Sequence, residues 1–207
     1  MSIRRGDPAL AQPPPRRLRV ARLVGELLSP PPIIVALALV VAWDSSPTPG
    51  MAVVWGGIAA VFASVLPYAL VLRGVRRGRL SDKNLSLREE RIRFGVVAIT
   101  SILVGLGVLV AFDAPAEMVA LLASIAVGVA CGWVVTLWWK ISVHAAIAAG
   151  AATVLLLVLG TALLAAWPLV ALIAWARVQV GDHTPAQVLA GVALGVVVNA
   201  TIFPLLR

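Results

Sequence analysis

Charge is what this chain has least of. Charged residues make up 13% of its 207 positions while 61% are hydrophobic, against about a quarter charged in an ordinary soluble domain. With a mean hydropathy of +1.01, that scarcity excludes a soluble globular protein and indicates an integral membrane protein. The single cysteine, Cys131, lies inside an apolar run; it excludes an internal disulfide and reads as a buried structural thiol. Acidic residues number nine against seventeen Lys and Arg, for a net charge of +8. The basic residues flank apolar spans, where positive charge sets orientation and meets anionic lipid, so nucleic acid is not expected as a partner. No apolar run stands in front of the stretch around Pro13-Pro14-Pro15-Arg16-Arg17, so residues 1 to 22 read as a basic tail and not as a signal peptide. Residues 23 to 207 form the membrane domain.

Long apolar runs are what the chain does have. Spans are expected at about Leu27–Trp43, entered through Pro30-Pro31-Pro32, which a first helical turn tolerates, and at about Met51–Leu72, Phe94–Phe112 and Ala116–Trp139. Each suits a hydrocarbon core of about 30 Å. The block Ala145–Ala176 would be roughly 48 Å long as one helix, too long for the bilayer. A hairpin turning near Gly160-Thr161 is expected instead, giving two short helices that tilt or local thinning accommodates. A last span at about Pro185–Phe203 completes an all-α polytopic bundle of about seven spans, or six if the block is one helix. Trp43, Trp138, Trp139 and Trp175 fall near span ends as interface anchors.

With seven spans, the tail, the loop Arg73–Arg93, the junction Lys140–His144 and the junction Arg177–His183 share one side. Charge agrees: six of the seventeen basic residues are in the tail and eight in the loop; with Lys140 and Arg177, only Arg207 remains opposite. By the positive-inside rule that side is cytoplasmic, in a bacterial-type plasma (inner) membrane.

The rarest polar side chains sit at these junctions. There are two histidines and two lysines; His144 follows Lys140 by one helical turn, and five residues separate Arg177 from His183. Cations and imidazoles gathered at one membrane face suit a phosphate ester. Arg offers a planar fork to phosphate oxygens, Lys a point charge, and imidazole a nucleophile or proton donor near neutral pH. Helices start here too, where free N–H groups favour an anion.

Lys140-Ile141-Ser142-Val143-His144, and Arg177 through His183-Thr184-Pro185-Ala186-Gln187-Val188-Leu189-Ala190-Gly191, resemble the second and third motifs of the type 2 phosphatidic acid phosphatase superfamily. Its signature is K-x6-RP, PSGH and SR-x5-H-x3-D. The resemblance implies that His183 is a nucleophile forming a phosphohistidine and that His144 is the acid that protonates the departing lipid alkoxide. It implies that Arg177, Lys83 and Arg91 hold phosphoryl oxygens, with Ser142 helping and Lys140 nearby. Arg88 is a rival to Arg91. No metal or other cofactor is implied; the partner is a lipid or polyprenyl phosphate within the membrane.

Several positions depart from that signature. Seven residues, not six, separate Lys83 from Arg91, and no proline follows. Ile141 and Val143 replace Pro and Gly, Ala176 replaces Ser, and Gln187 stands where an Asp would orient the nucleophile. A Gln carbonyl fixes an imidazole tautomer but does not stabilise imidazolium as a carboxylate does. Thr184-Pro185-Ala186-Gln187 also reads as a capping box, so Gln187 is a helix cap, an orienting group, or both. Two other functions stay open: a catalytically silent relative that binds or carries lipid phosphate, and an Mg2+-dependent prenyl diphosphate transferase using Asp82, Glu89 and Glu90.

Overall fold

Apolar runs become helices in the computed structural model, which describes residues 15–207. Helices α1 (Arg16–Leu27), α2 (Pro30–Ser45), α3 (Pro49–Ala60), α4 (Leu66–Arg76), α5 (Arg88–Ala111), α6 (Ala116–Thr136), α7 (Val143–Leu159), α8 (Trp167–Gln179) and α9 (Pro185–Leu206) follow in order. Prolines stand in the first turns of α2, α3 and α9, where their missing N–H costs no hydrogen bond. Thr48, Ser142 and Thr184 accept the backbone N–H groups that begin α3, α7 and α9. Between α3 and α4 the helix widens to a π turn over Val61–Val65. Pro67 follows directly, and its ring and absent N–H disturb the preceding ladder. The Ser101 hydroxyl donates to the Phe62 carbonyl at 2.7 Å, and the Ser64 hydroxyl donates to that of Pro31 at 3.1 Å.

Among the described residues, four stretches are long and apolar enough to cross a membrane: Pro49–Arg76, Arg88–Ala111, Ala116–Thr136 and Pro185–Leu206. The pair α1 and α2 qualifies as one span bent by 43° at Leu28-Ser29, and Val143–Leu159 and Leu164–Gln179 are shorter apolar helices. Exposed valines, leucines and tryptophans, among them Trp43, Trp138, Trp139 and Trp175, give the bundle the apolar outer surface that lipid requires. The tail reads differently from the sequence expectation where it is described: residues 16 to 22 form the first turns of α1. Residues 1–14 of that tail lie outside the described residues. The charged loop is likewise shorter than Arg73–Arg93, because α4 runs on to Arg76 and α5 begins at Arg88.

The block Ala145–Ala176 does break at Gly160. Its φ of +84° is a conformation glycine reaches without steric cost, and a short 3-10 segment, Thr161–Ala166, leads into α8. Consequently α7 and α9 run parallel in direct contact, with α8 returning between them in sequence. The Ser142 N–H donates to the Gln187 carbonyl at 3.2 Å at one end, and Arg207 donates to the Leu157 carbonyl at 2.9 Å at the other. The helices touch through glycine: a Cβ on Gly191 would lie 2.5 Å from the Ser142 carbonyl oxygen, and one on Gly195 would collide with that of Ala146. This close approach sets the start of α7, which carries His144, beside the start of α9, which follows His183.

Candidate active site

The end of α8 and the loop into α9 build one half of the site. Val180 ends α8, and Gly181 takes a left-handed φ of +75°. That reversal lets the His183 N–H donate back to the Arg177 carbonyl at 3.3 Å, so the five intervening residues form a tight loop. Within it, Asp182 turns its carboxylate to Arg177, with Nη2 to Oδ2 at 2.5 Å. The Asp182 carbonyl accepts the Lys140 ammonium at 2.5 Å. This one residue therefore joins the two junctions.

Arg177 is buried, with α1 packed against the end of α8. A Cβ on Gly25 would lie 3.3 Å from Arg177 Nη1, so glycine keeps room for the guanidinium. Arg177 Nε and His183 Nδ1 are buried without hydrogen-bond partners. Burial first, then the Lys140 and Arg177 cations, push the His183 imidazole down to about 4. Gln187 and Asp182 oppose that shift. Burial also lowers Lys140, aided by Arg91 and Arg177 and opposed by Asp182.

One cavity of about 660 Å³ is lined by His144, Arg177, Asp182, His183, Lys140, Lys83 and Arg91. Of the nine candidate positions from the sequence, six line this cavity (His183, His144, Arg177, Lys140, Lys83 and Arg91), whereas Arg88, Ser142 and Gln187 do not. Ser142 is fully buried, accepts the Ala145 N–H at 3.4 Å and serves as the N-cap of α7; it is absent from the lining. Arg88 is exposed at the start of α5 and is likewise absent. Arg91 reaches the cavity while donating to the carbonyls of Leu85 and Ser86 at 3.1 and 2.7 Å, so it also holds the loop. Lys83 pairs with Glu26 of α1 at 2.9 Å, and that hydrogen bond holds its ammonium above the usual lysine range. Gln187 completes the capping box with Thr184, its Oε1 accepting the Thr184 N–H at 3.1 Å.

Two of the three acidic residues proposed for a magnesium site, Asp82 and Glu90, are used locally. Asp82 accepts the N–H groups of Asn84 and Ser86 at 2.7 and 3.2 Å, and Glu90 takes the N–H and hydroxyl of Ser81 at 2.7 and 2.6 Å. Among the described residues no group of three His, Cys, Asp or Glu is placed to hold a metal. Glu26 and the covering role of α1 were not found from sequence. The signal available was that Glu26 is the only carboxylate between Arg16 and Leu28.

Residues 139–207 match the model of the PAP2 superfamily. The match is consistent with a member of the type 2 phosphatidic acid phosphatase superfamily and spans both histidines, Arg177 and the α7–α9 contact. At a coarse level the match points to a phosphatase acting on phosphate esters. Neither the search of curated proteins nor that of solved structures finds a match.

The depressed His183 value has a direct consequence. A nucleophilic imidazole must be neutral, and one held near 4 stays neutral through the range in which a free histidine, at about 6.5, would protonate. Acylation of His183 by diethyl pyrocarbonate, followed in His144→Ala so that one imidazole is observed, should therefore lose its rate with a midpoint near 4 as pH falls. A midpoint near the free-histidine value would show that the site does not shield the ring.

Proposed function

We propose that the protein is a membrane lipid phosphatase that hydrolyses a lipid or polyprenyl phosphomonoester through a phosphohistidine. The observation that carries this reading is one cavity lined at one end by both imidazoles and five cations and continued by apolar side chains. A phosphate attached to hydrocarbon matches both parts. In the first step a His183 ring nitrogen forms a bond to phosphorus as the bond to the lipid oxygen breaks. His144, as imidazolium, delivers its proton to that oxygen. In the second step water attacks the phosphohistidine and gives a proton to His144, releasing inorganic phosphate and the free histidine. Arg177, Lys140, Lys83 and Arg91 balance the charge spread over the phosphoryl oxygens. The incoming phosphate displaces Asp182 and Glu26 from Arg177 and Lys83 and raises the proton affinity of His144. Gln187 orients His183 while capping α9.

Phosphate release from a panel of lipid and polyprenyl phosphates, with wild type and His183→Ala in parallel, tests the proposal. Turnover of at least one lipid phosphate, lost in the variant and retained in EDTA, is the expected result. Binding without turnover would favour the silent carrier. Activity lost in EDTA, restored by Mg2+ and dependent on Asp82 or Glu89 would favour the transferase.

We assign the site to the cytoplasmic face of the plasma membrane by the positive-inside rule, because the sequence puts sixteen of seventeen basic residues in the tail, the Arg73–Arg93 loop and the two junctions. Single cysteines at positions 140 and 177, in a Cys131→Ser background, should resist a membrane-impermeant thiol reagent in intact cells and react after permeabilisation. Labelling in intact cells at either position would reverse the orientation.

A further inference from the structure

The cavity continues well below the phosphate-binding end. It is lined from Thr136 to Ser124 along α6, twelve residues or about 18 Å of helix. Its charged lining residues all belong to the segments 22–26, 83–91, 140–144 and 177–183; the deeper wall includes Ile34, Ile102, Ile147 and Leu194. The few polar side chains there are bonded to backbone. Ser124 donates to the Ala120 carbonyl at 2.7 Å, Thr136 to that of Gly132 at 2.9 Å and Asn199 to that of Gly195 at 2.8 Å. Such a wall suits hydrocarbon.

Two glycines on this wall have no packing reason to be glycine. A Cβ on Gly128 would meet nothing closer than Val198 Cγ1 at 3.8 Å, and one on Gly132 nothing closer than Leu194 Cδ2 at 3.7 Å. Both are ordinary contacts, unlike the backbone collisions at Gly191 and Gly195. A glycine inside a helix is about 1 kcal/mol less favourable than alanine, and these two lie one turn apart on the same face. What they leave open is the bore of the cavity.

Capacity selects the occupant. At about 30 Å³ for each water-sized group, a cavity of about 660 Å³ takes on the order of twenty non-hydrogen atoms, of which a phosphate uses about five. The remainder fits one hydrocarbon chain of about fifteen carbons and excludes a second.

We propose that the bundle receives one hydrocarbon chain of a single-chain phosphomonoester in this cavity, with Gly128 and Gly132 setting how long a chain fits. The proposal rests on the phosphatase reading for its phosphate end, while the chain site is testable without turnover. Full-length protein in detergent is assayed with alkyl phosphates from butyl to hexadecyl. In wild type, kcat/KM should rise by about fourfold per methylene, the value of burying one CH2, and then level off. Gly128→Leu and Gly132→Leu should lower the hexadecyl-to-butyl ratio of kcat/KM at least tenfold, and Gly128→Ala should shift the levelling point by a methylene or two. Because the readout is a ratio, partial loss of folded protein does not move it. Lysophosphatidic acid should be preferred over its two-chain counterpart. An unchanged ratio in both Leu variants, or equal turnover of one-chain and two-chain substrates, overturns the proposal. If wild type hydrolyses none of the series, the phosphatase reading falls; calorimetric titration with hexylphosphonate and hexadecylphosphonate then decides the chain site. Tighter binding of the longer chain, lost in Gly132→Leu, supports it, and equal affinity sinks it.

Discussion

Alanine at position 183 is expected to abolish hydrolysis of every substrate, whereas alanine at 144 is expected to spare an activated one. A lipid alkoxide is a poor leaving group and needs a proton as it departs; a nitrophenolate leaves with little help. His183→Ala removes the atom that bonds to phosphorus, so turnover of the lipid and of nitrophenyl phosphate should both fall by on the order of 10⁴ or more, with no phosphoenzyme trapped by acid quench. His144→Ala should lower turnover of the lipid ester by about a hundredfold to ten-thousandfold and retain a clearly larger fraction on nitrophenyl phosphate. The two imidazoles line one cavity, and each lies within electrostatic reach of Arg177. Equal losses on both substrates for both variants would instead mean a shared phosphate-binding role and would remove the assignment of nucleophile and acid.

Gly195→Leu is expected to be the most disruptive substitution outside the polar end. A Cβ at 195 collides with the Ala146 carbonyl oxygen and lies 2.9 Å from the Gly150 backbone nitrogen. Backbone atoms have no alternative rotamer, so α9 must move away from α7. Small residues are what allow two membrane helices to approach this closely, and overpacking costs about 1–3 kcal/mol even where side chains are free to adjust. A loss at or above the upper end of that range is expected, read as a lower thermal midpoint in detergent. Because the same contact sets His144 beside the loop of His183, activity should fall even at temperatures where the variant remains folded. Gly128→Ala, whose Cβ has room, is the control and should keep the wild-type midpoint. A Gly195→Leu protein with unchanged midpoint and activity would show that the tight α7–α9 contact is not maintained.

The capping box at Thr184 and the hairpin at Gly160 were legible because each depends on a few adjacent residues: a hydroxyl, a proline and an amide at the spacing of one helical turn, and a glycine where an apolar block exceeds the bilayer. The positions of His144, Arg177 and His183 at one end follow from that hairpin alone, since α8 must return the chain to the side from which α7 started. Ser142 caps α7, a role the sequence does not separate from phosphate binding because a serine beside a histidine reads the same whether its hydroxyl faces a cavity or caps a helix; its complete burial comes with α9 packed over it. Arg88 and Arg91 look alike in a basic loop, and only the first turn of α5 decides that Arg91 faces inward.

From sequence alone came the membrane class, the hairpin and the Arg-x5-His motif, all of which rest on local composition, length and spacing. The tertiary structure alone decided that α1 lies against α8, that Glu26 meets Lys83 fifty-seven positions away, and that Asp182 turns to Arg177 while its carbonyl holds Lys140. It alone produced the cavity beneath them. Those features depend on which helix faces pack together, and in a bundle whose helices are apolar on nearly every side, periodicity carries little record of which face turns inward.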